Sequence, residues 1–307
     1  MVYLEKRKSN GRIQNYLVHG YRDNSGKIKK KSKFLGYGNI SKKKMNKSKG
    51  EFEIEIKKKN KSGDLNEKQI EKIEKLKQIY FNKVDNLKKE EFEQFEKSFF
   101  TELTYNSNAI EGNTLSLEET SLILNEEIVP KGKNLREIHE VQNHQKALNF
   151  LKSYKGNLSE DLILRLHKII LNNISERFAG KYRKTNVRIF GSSCKLPNYE
   201  KVPQLIRNLV YWYNKNKKDY HPFEMAILVS MKLVTIHPFI DGNGRVSRLI
   251  MNFLLSKFNY PWINIYNKQR EDYLKAVRKA NDERYKEILE FCIVCLEENL
   301  EGFGFFD

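Results

Sequence analysis

Cysteine is scarce: Cys194, Cys292 and Cys295 are the only three in 307 residues. So few, so unevenly placed, exclude a disulfide framework and fit a reducing compartment. Cys292-x-x-Cys295 has no second pair and no nearby histidine to complete a tetrahedral zinc site, so both read as buried thiols on a helix face. Long apolar runs are missing as well. None approaches the roughly 18 residues of a bilayer span, and the start MVYLEKRKSNGR lacks the apolar core of a secretory signal. The expectation is a cytoplasmic chain with no membrane association. No internal repeat is present. Acidic residues are sparse in one region only: residues 1–62 hold 19 Lys and Arg against 5 Asp and Glu, a net of +14 out of the chain's +18. Any electrostatic attraction to a polyanion therefore belongs to the first fifth of the chain.

What is present divides in two. In residues 12–38, two apolar and aromatic runs flank Asp23-Asn24-Ser25-Gly26, a turn signature, which predicts a β-hairpin. Phe52-Glu53-Ile54-Glu55-Ile56 alternates with period two and offers a third strand, so residues 1–62 read as a small, basic, β-rich N-terminal module. From Asp64 the period becomes helical. Helices are expected at about 65–87, 90–110, 117 onward, 135–154, 159–173, 203–217, 221–236, 244–258, 269–280 and 282–299. Ser116-Leu117-Glu118-Glu119 has the form of a capping box at one start. The fold class is mainly α, with a helical region at 63–155 and a core at 156–307. One interruption is extended: Thr185 to Gly191 and Lys195-Leu196-Pro197 suggest a short hairpin turned by Gly191-Ser192-Ser193.

Residues 237–248, HPFIDGNGRVSR, concentrate the chemistry. Pro238 breaks one helix and the next begins near Gly244, so Asp241 to Arg245 sit at a helix N-terminus. Free N–H groups, the helix dipole and glycines make such a place a phosphate site. Asp241 suits Mg²⁺, which takes one or two carboxylates beside phosphates and water. Arg245 and Arg248, three apart, share a helix side where both meet a polyphosphate. His237, titratable near neutrality, can accept a proton from an attacking hydroxyl. Phe239 and Ile240 are expected to anchor the loop in the core. The parts describe phosphoryl or nucleotidyl transfer. His221-Pro222-Phe223 shares three of these residues and none of the rest, and a helix start explains it.

HPFIDGNGRVSR resembles the signature of Fic (Fido) domains, His-Pro-Phe-x-Asp/Glu-Gly-Asn-Gly-Arg-x-x-Arg, at every defined position. The similarity covers about 95–295 and takes in Gly180-Lys181-Tyr182-Arg183, Val187-Arg188-Ile189, Tyr260-Pro261 and Arg270-x-x-Tyr273. It implies a Fic-type helical bundle with a short β-hairpin flap, transferring AMP from Mg·ATP to a Ser, Thr or Tyr hydroxyl of a target protein. By resemblance, His237 is the general base and Asp241 the Mg²⁺ ligand. Gly242, Asn243, Gly244 and Arg245 hold phosphates, Arg248 meets the γ-phosphate, and Tyr273 and Asn281 contact the nucleoside. Leu274 stands where some relatives carry a second tyrosine. The flap, Val187, Arg188 and Ile189, would pair with an extended target segment.

Ser107-Asn108-Ala109-Ile110-Glu111-Gly112 resembles the family's inhibitory helix, in which the glutamate pairs with the second arginine, here Arg248, and keeps ATP in an unproductive pose. Read locally, Gly112 is a helix C-cap, and a glutamate at the negative end of a helix needs a partner. The resemblance leaves open a deAMPylating role in which Glu111 aligns water, and other donors such as UTP or CDP-choline. A homodimer is common in that family. For the basic module, Lys29 to Lys33, Lys42 to Lys44 and Lys57 to Lys59 beside Tyr16, Tyr21, Phe34 and Tyr37 suggest nucleic acid, although arginine reads phosphate better than lysine.

Overall fold

The computed structural model describes residues 2–9, 11–22, 28–41, 44–45, 48–49, 52, 63–188 and 195–306, and among those from 63 onward apolar residues three and four apart become ten α-helices. The chain forms two compact units, Met1–Ser62 and Gly63–Asp307.

In the first unit, β1 (Val2–Ser9), β2 (Arg12–Arg22) and β3 (Ile28–Tyr37) make an antiparallel sheet in that order. The expected hairpin is β2 and β3. Its turn, 23–26, lies outside the described residues. Among the described residues the third strand is β1, and the strand expected at 52–56 is contradicted only at Phe52. Phe52 is helical and fully buried against Leu17 and Leu35, while 53–56 lie outside the described residues. β1 escaped the sequence because Glu5, Lys6, Arg7 and Lys8 are consecutive charges with no apolar alternation to detect.

The second unit holds α1 (Glu67–Asn86), α2 (Lys89–Ala109), α3 (Leu117–Asn125), α4 (Leu135–Ser153), α5 (Glu160–Ile170), α6 (Val202–Asn216), α7 (Pro222–Ile236), α8 (Asn243–Lys257), α9 (Arg270–Ala280) and α10 (Lys286–Gly302). Ser116 caps α3 as its sequence required: its Oγ accepts from Glu119 N at 3.1 Å while Glu119 accepts from Ser116 N at 2.9 Å. Cys292 and Cys295 are buried free thiols on α10, and burial pushes the Cys292 thiol up to about 12. The boundary placed at 155/156 separates segments that share a core, since Ile73, Leu103 and Leu148 cluster with Leu166, Met231 and Leu254.

α7 is apolar on nearly every side and is enclosed accordingly, from Phe223 to Leu233. Each of Met225, Ile227 and Val229 is fully buried, contributing roughly 1.5–3 kcal/mol. α8 lies against it, and at the crossing Ser230 Oγ donates to Ser247 O at 2.9 Å, so the buried hydroxyl is satisfied. The α7–α8 connection is thus clamped between two core helices. That connection is the quoted motif. The flap is corrected in part: 185–188 and 195–197 carry no strand, and residues 189–194, Ile189 included, lie outside the described residues.

Candidate active site

His237 terminates α7 in the left-handed region, φ 50°, ψ 61°, where a non-glycine residue is uncommon and holds strain. Surrounding bonds hold it there. Its N–H donates to Leu233 O at 3.2 Å and its carbonyl accepts from Arg183 Nε at 2.8 Å, while Arg183 N donates to Pro238 O at 2.9 Å. The buried Arg183 guanidinium also donates to Thr185 O and Pro197 O, so one side chain ties the base of the flap to the backbone of His237. The ring Nδ1 lies 3.4 Å from Val234 O; a proton on Nδ1 there leaves the Nε2 lone pair free. Burial, with Arg183 nearby, holds the imidazole below its ordinary pKa, against the opposing pull of the Val234 carbonyl, Glu111 and Asp241.

The loop behind it is packed rather than merely turned. Phe239 is fully buried and stacks on His167, centroids 3.6 Å apart. His167 Nδ1 accepts from Gly180 N at 3.0 Å, so its Nε2 carries the proton and donates to Asp241 O at 3.2 Å. Ile240 does not join the core and is 36% exposed, because Phe239 already fills the slot. Asn243 faces inward, its Oδ1 accepting from Phe239 N and its Nδ2 donating to Phe239 O, so the carboxamide staples the loop and leaves only its backbone for phosphate. Gly242 caps α8 at φ 78°, a conformation costly for any residue with a Cβ. The first N–H groups of α8 then have no partner within the helix.

Charged groups converge on this N-terminus from three other segments. Arg245, 2% exposed, has Glu140 and Asp241 each 3.3 Å away, and its Nε has no acceptor among the described residues. A buried guanidinium with an unmatched donor is costly and fits a group that meets a ligand anion. Arg136, at the start of α4, donates to Asp241 Oδ2 at 2.7 Å, and Asp241 Oδ1 accepts from Gly242 N at 2.6 Å. Arg248 is buried among Glu111 Oε1 at 2.8 Å, Ser107 Oγ at 3.1 Å and Ser107 O at 2.8 Å. A Cβ on Gly244 would strike the Glu111 carboxylate, so this anion sits directly over the α8 N-terminus. Gly112 has φ 102°, Arg270 Nε caps Ile110 O at 2.7 Å, and Asn113 Nδ2 donates to Glu140 Oε2 at 3.0 Å, which fixes the helix end that carries Glu111.

Tyr273 is buried, with the Arg248 guanidinium 5.9 Å from its ring centroid; Asn281 accepts at 2.7 Å from Thr235 Oγ1, two residues before His237. His144 is buried against Thr104, 3.1 Å away, and burial followed by Arg248 and Arg245 lowers its pKa to about 3. Val187 and Arg188 follow the Arg183 anchor, with Arg188 exposed. Sequence reading overlooked Arg136, Glu140, His144 and His167. The first three lie four apart on α4, one polar stripe that could have marked a helix facing a charged site. For His167 no local signal existed.

Among the described residues no three His, Cys, Asp or Glu side chains gather to hold a metal. One hard carboxylate, Asp241, beside an anion cradle fits an ion that shares its shell with phosphate and water.

Residues 157–255 match the model of the Fic/DOC family. Among curated proteins, the protein adenylyltransferase Fic of Nematostella vectensis is 33% identical over 212 residues, 67% of this chain and 49% of that protein. Its Drosophila grimshawi counterpart is 32% identical over 209 residues, 67% of this chain and 43% of that protein. The chain spans about half the length of the curated relatives it matches. Among solved structures, a Fic domain containing signaling protein from Bacteroides thetaiotaomicron superposes with TM-score 0.67 at 27% identity, over 74% of this chain and 95% of the other. Fic-1 from C. elegans does so with TM-score 0.69 at 28% identity, over 77% and 71%.

Proposed function

Residues 157–255 are a Fic/DOC family domain, and on that premise we propose that the protein is a self-restrained adenylyltransferase that moves AMP from ATP to a hydroxyl of a target protein. The hydroxyl oxygen attacks the α-phosphorus while His237 Nε2 takes its proton. The new O–P bond forms as the bond to the bridging oxygen breaks, and pyrophosphate leaves. The α8 N–H groups and the unmatched Arg245 donor neutralise the phosphate oxygens. Asp241 is the residue to hold Mg²⁺, and the ion would add charge neutralisation at the phosphates. Tyr273 and Asn281 would border the nucleoside. A target segment lying along Val187, Arg188 and Ile189 would be set in register with His237 through Arg183.

The observation that carries the reading is the position of Glu111: its carboxylate rests over Gly244, 2.8 Å from Arg248, where the phosphate tail must lie. Ser107 holds the other side of that arginine. The ground state therefore fills its own anion site, and Glu111 must leave before a triphosphate is clamped in line. Mass spectrometry of the full chain with Mg²⁺ and each nucleoside triphosphate tests this. The Glu111→Gly chain is expected to gain an adenylyl mass from ATP at a rate at least about tenfold above the unaltered chain, a difference of ~1.4 kcal/mol, and the gain disappears in His237→Ala. Equal labelling with and without Glu111 overturns the restraint. A different added mass overturns ATP as donor, and Glu111-dependent release of AMP from a modified protein would make removal the reaction.

A further inference from the structure

The basic unit contains an aromatic surface that the reading of the helical unit does not use. Tyr16 of β2 lies opposite Glu5 of β1 and Phe34 of β3, so Tyr16, Phe34 and Arg7 share a face. Their contacts are continuous: the Arg7 guanidinium is 4.3 Å from the Tyr16 centroid, and Tyr16 and Phe34 centroids are 5.2 Å apart. Tyr37 joins them, 5.2 Å from Phe34, although residues three apart on a regular strand point to opposite faces. The register explains how. Asn15 pairs with Gly36 and Tyr16 with Phe34, so Leu35 is an extra residue in β3. The bulge sends Leu35 into the small core, where it is 8% exposed, and turns both Phe34 and Tyr37 outward. Gly36, at φ 134°, permits the kink.

The result is a row of rings left in water, Phe34 at 46% and Tyr37 at 57% exposure. Exposed rings in a row are a cost unless something covers them. The surroundings say what. The unit carries +14, Arg12 and Lys30 are exposed on the same face as the rings, and the face's described carboxylate, Glu5, is already bridged by Arg7 at 2.8 Å and Lys30 at 3.7 Å. A partner must offer flat apolar faces and negative charge together. Unpaired nucleotides do so, since their bases stack on rings and their phosphates meet lysine. Duplex hides its base faces, and an acidic polypeptide satisfies the lysines but leaves the rings bare.

We infer that the Arg7–Tyr16–Phe34–Tyr37 face binds single-stranded nucleic acid, with bases stacked on the rings and the backbone along the flanking Arg12 and Lys30. This stands independently of the Fic/DOC site. Fluorescence anisotropy of the full chain with a labelled single strand of mixed sequence, about 12 nucleotides long, tests it across a salt series. Kd is expected to rise steeply with salt. Phe34→Ala with Tyr37→Ala should raise Kd at least about tenfold at fixed salt without changing the salt slope, whereas Lys30→Ala should flatten the slope. Phe34→Trp with Tyr37→Trp keeps the binding and guards against a folding artefact, since both positions lie outside the core. The inference is overturned by absent binding at low salt or by unchanged affinity in the alanine pair. Equal competition by duplex, or by polyglutamate as the probe for an acidic protein partner, overturns it as well.

Discussion

Arg136 and Asp241 are 105 residues apart in sequence, and the Arg136 guanidinium donates to the Asp241 carboxylate at 2.7 Å. With Gly242 N on the other oxygen, the only acidic side chain of the motif is fully engaged. A cation binding there would compete with Arg136 for the carboxylate. Both side chains are half exposed, 56% and 41%, so the pair by itself is worth little, and its effect is on competition.

Removing this competitor tightens metal binding. Arg136→Ala is expected to raise the affinity for Mn²⁺, used as a spectroscopic stand-in for Mg²⁺ in the presence of nucleotide, by several-fold, on the order of 1 kcal/mol. Titration followed by electron paramagnetic resonance reads free Mn²⁺ directly. Unchanged affinity would mean that Asp241 is as accessible with Arg136 as without it.

Arg183 acts through position. Its truncation to alanine leaves the carbonyls of His237, Thr185 and Pro197 without their donor, each at about 1–3 kcal/mol if buried. Released from its strained φ, His237 loses its aim, and kcat should fall about 100-fold. Arg183→Lys restores charge but not the forked geometry and should recover little. Steady-state kinetics with KM nearly unchanged would distinguish loss of positioning from loss of nucleotide binding.

The pH profile follows from His237. A general base, the role proposed for His237, works deprotonated, and burial lowers this imidazole below its ordinary 6.5. The acid limb of kcat/KM should therefore have its midpoint below pH 6.5, measured in the Glu111→Gly chain so that restraint does not intrude. A midpoint at or above 6.5 would contradict a desolvated base.

Two other histidines govern acid stability. Burial lowers His144 to about 3 and His167 to about 4 from 6.5. The unfolded chain takes up both protons as pH falls through 6.5 while the folded chain refuses them. Their stabilisation is thus complete above pH 6.5 and is lost on acidification, at about 1.4 kcal/mol per pH unit for each group. Urea midpoints should fall steadily from pH 7 to 5, and His144→Gln should reduce the slope. A flat midpoint would show that these imidazoles charge without unfolding the protein.

The helices were legible because their evidence is local: 3.6-residue periodicity, a Ser116–Glu119 box and prolines at 222 and 238 act within a few residues of themselves. The motif was legible for the same reason, being twelve consecutive residues. Composition alone determined that the chain's excess of positive charge is concentrated in residues 1–62. The bulge at Leu35 was not legible, since pairing register depends on what the opposite strand and core demand. The stripe Arg136, Glu140 and His144 was visible as a four-residue spacing, but what it faces is set by the packing of α4 and not by its own period. The pairing of Glu111 with Arg248 was expected from the resemblance and is 2.8 Å in the structure, whereas tertiary structure alone brought Glu111 over Gly244 and put Arg136 on Asp241. The residue types determined which chemistry could occur, and the packing of α2 and α4 against α8 decided that the protein holds its own carboxylate over Gly244 and its own guanidinium on Asp241, the places proposed for phosphate and metal.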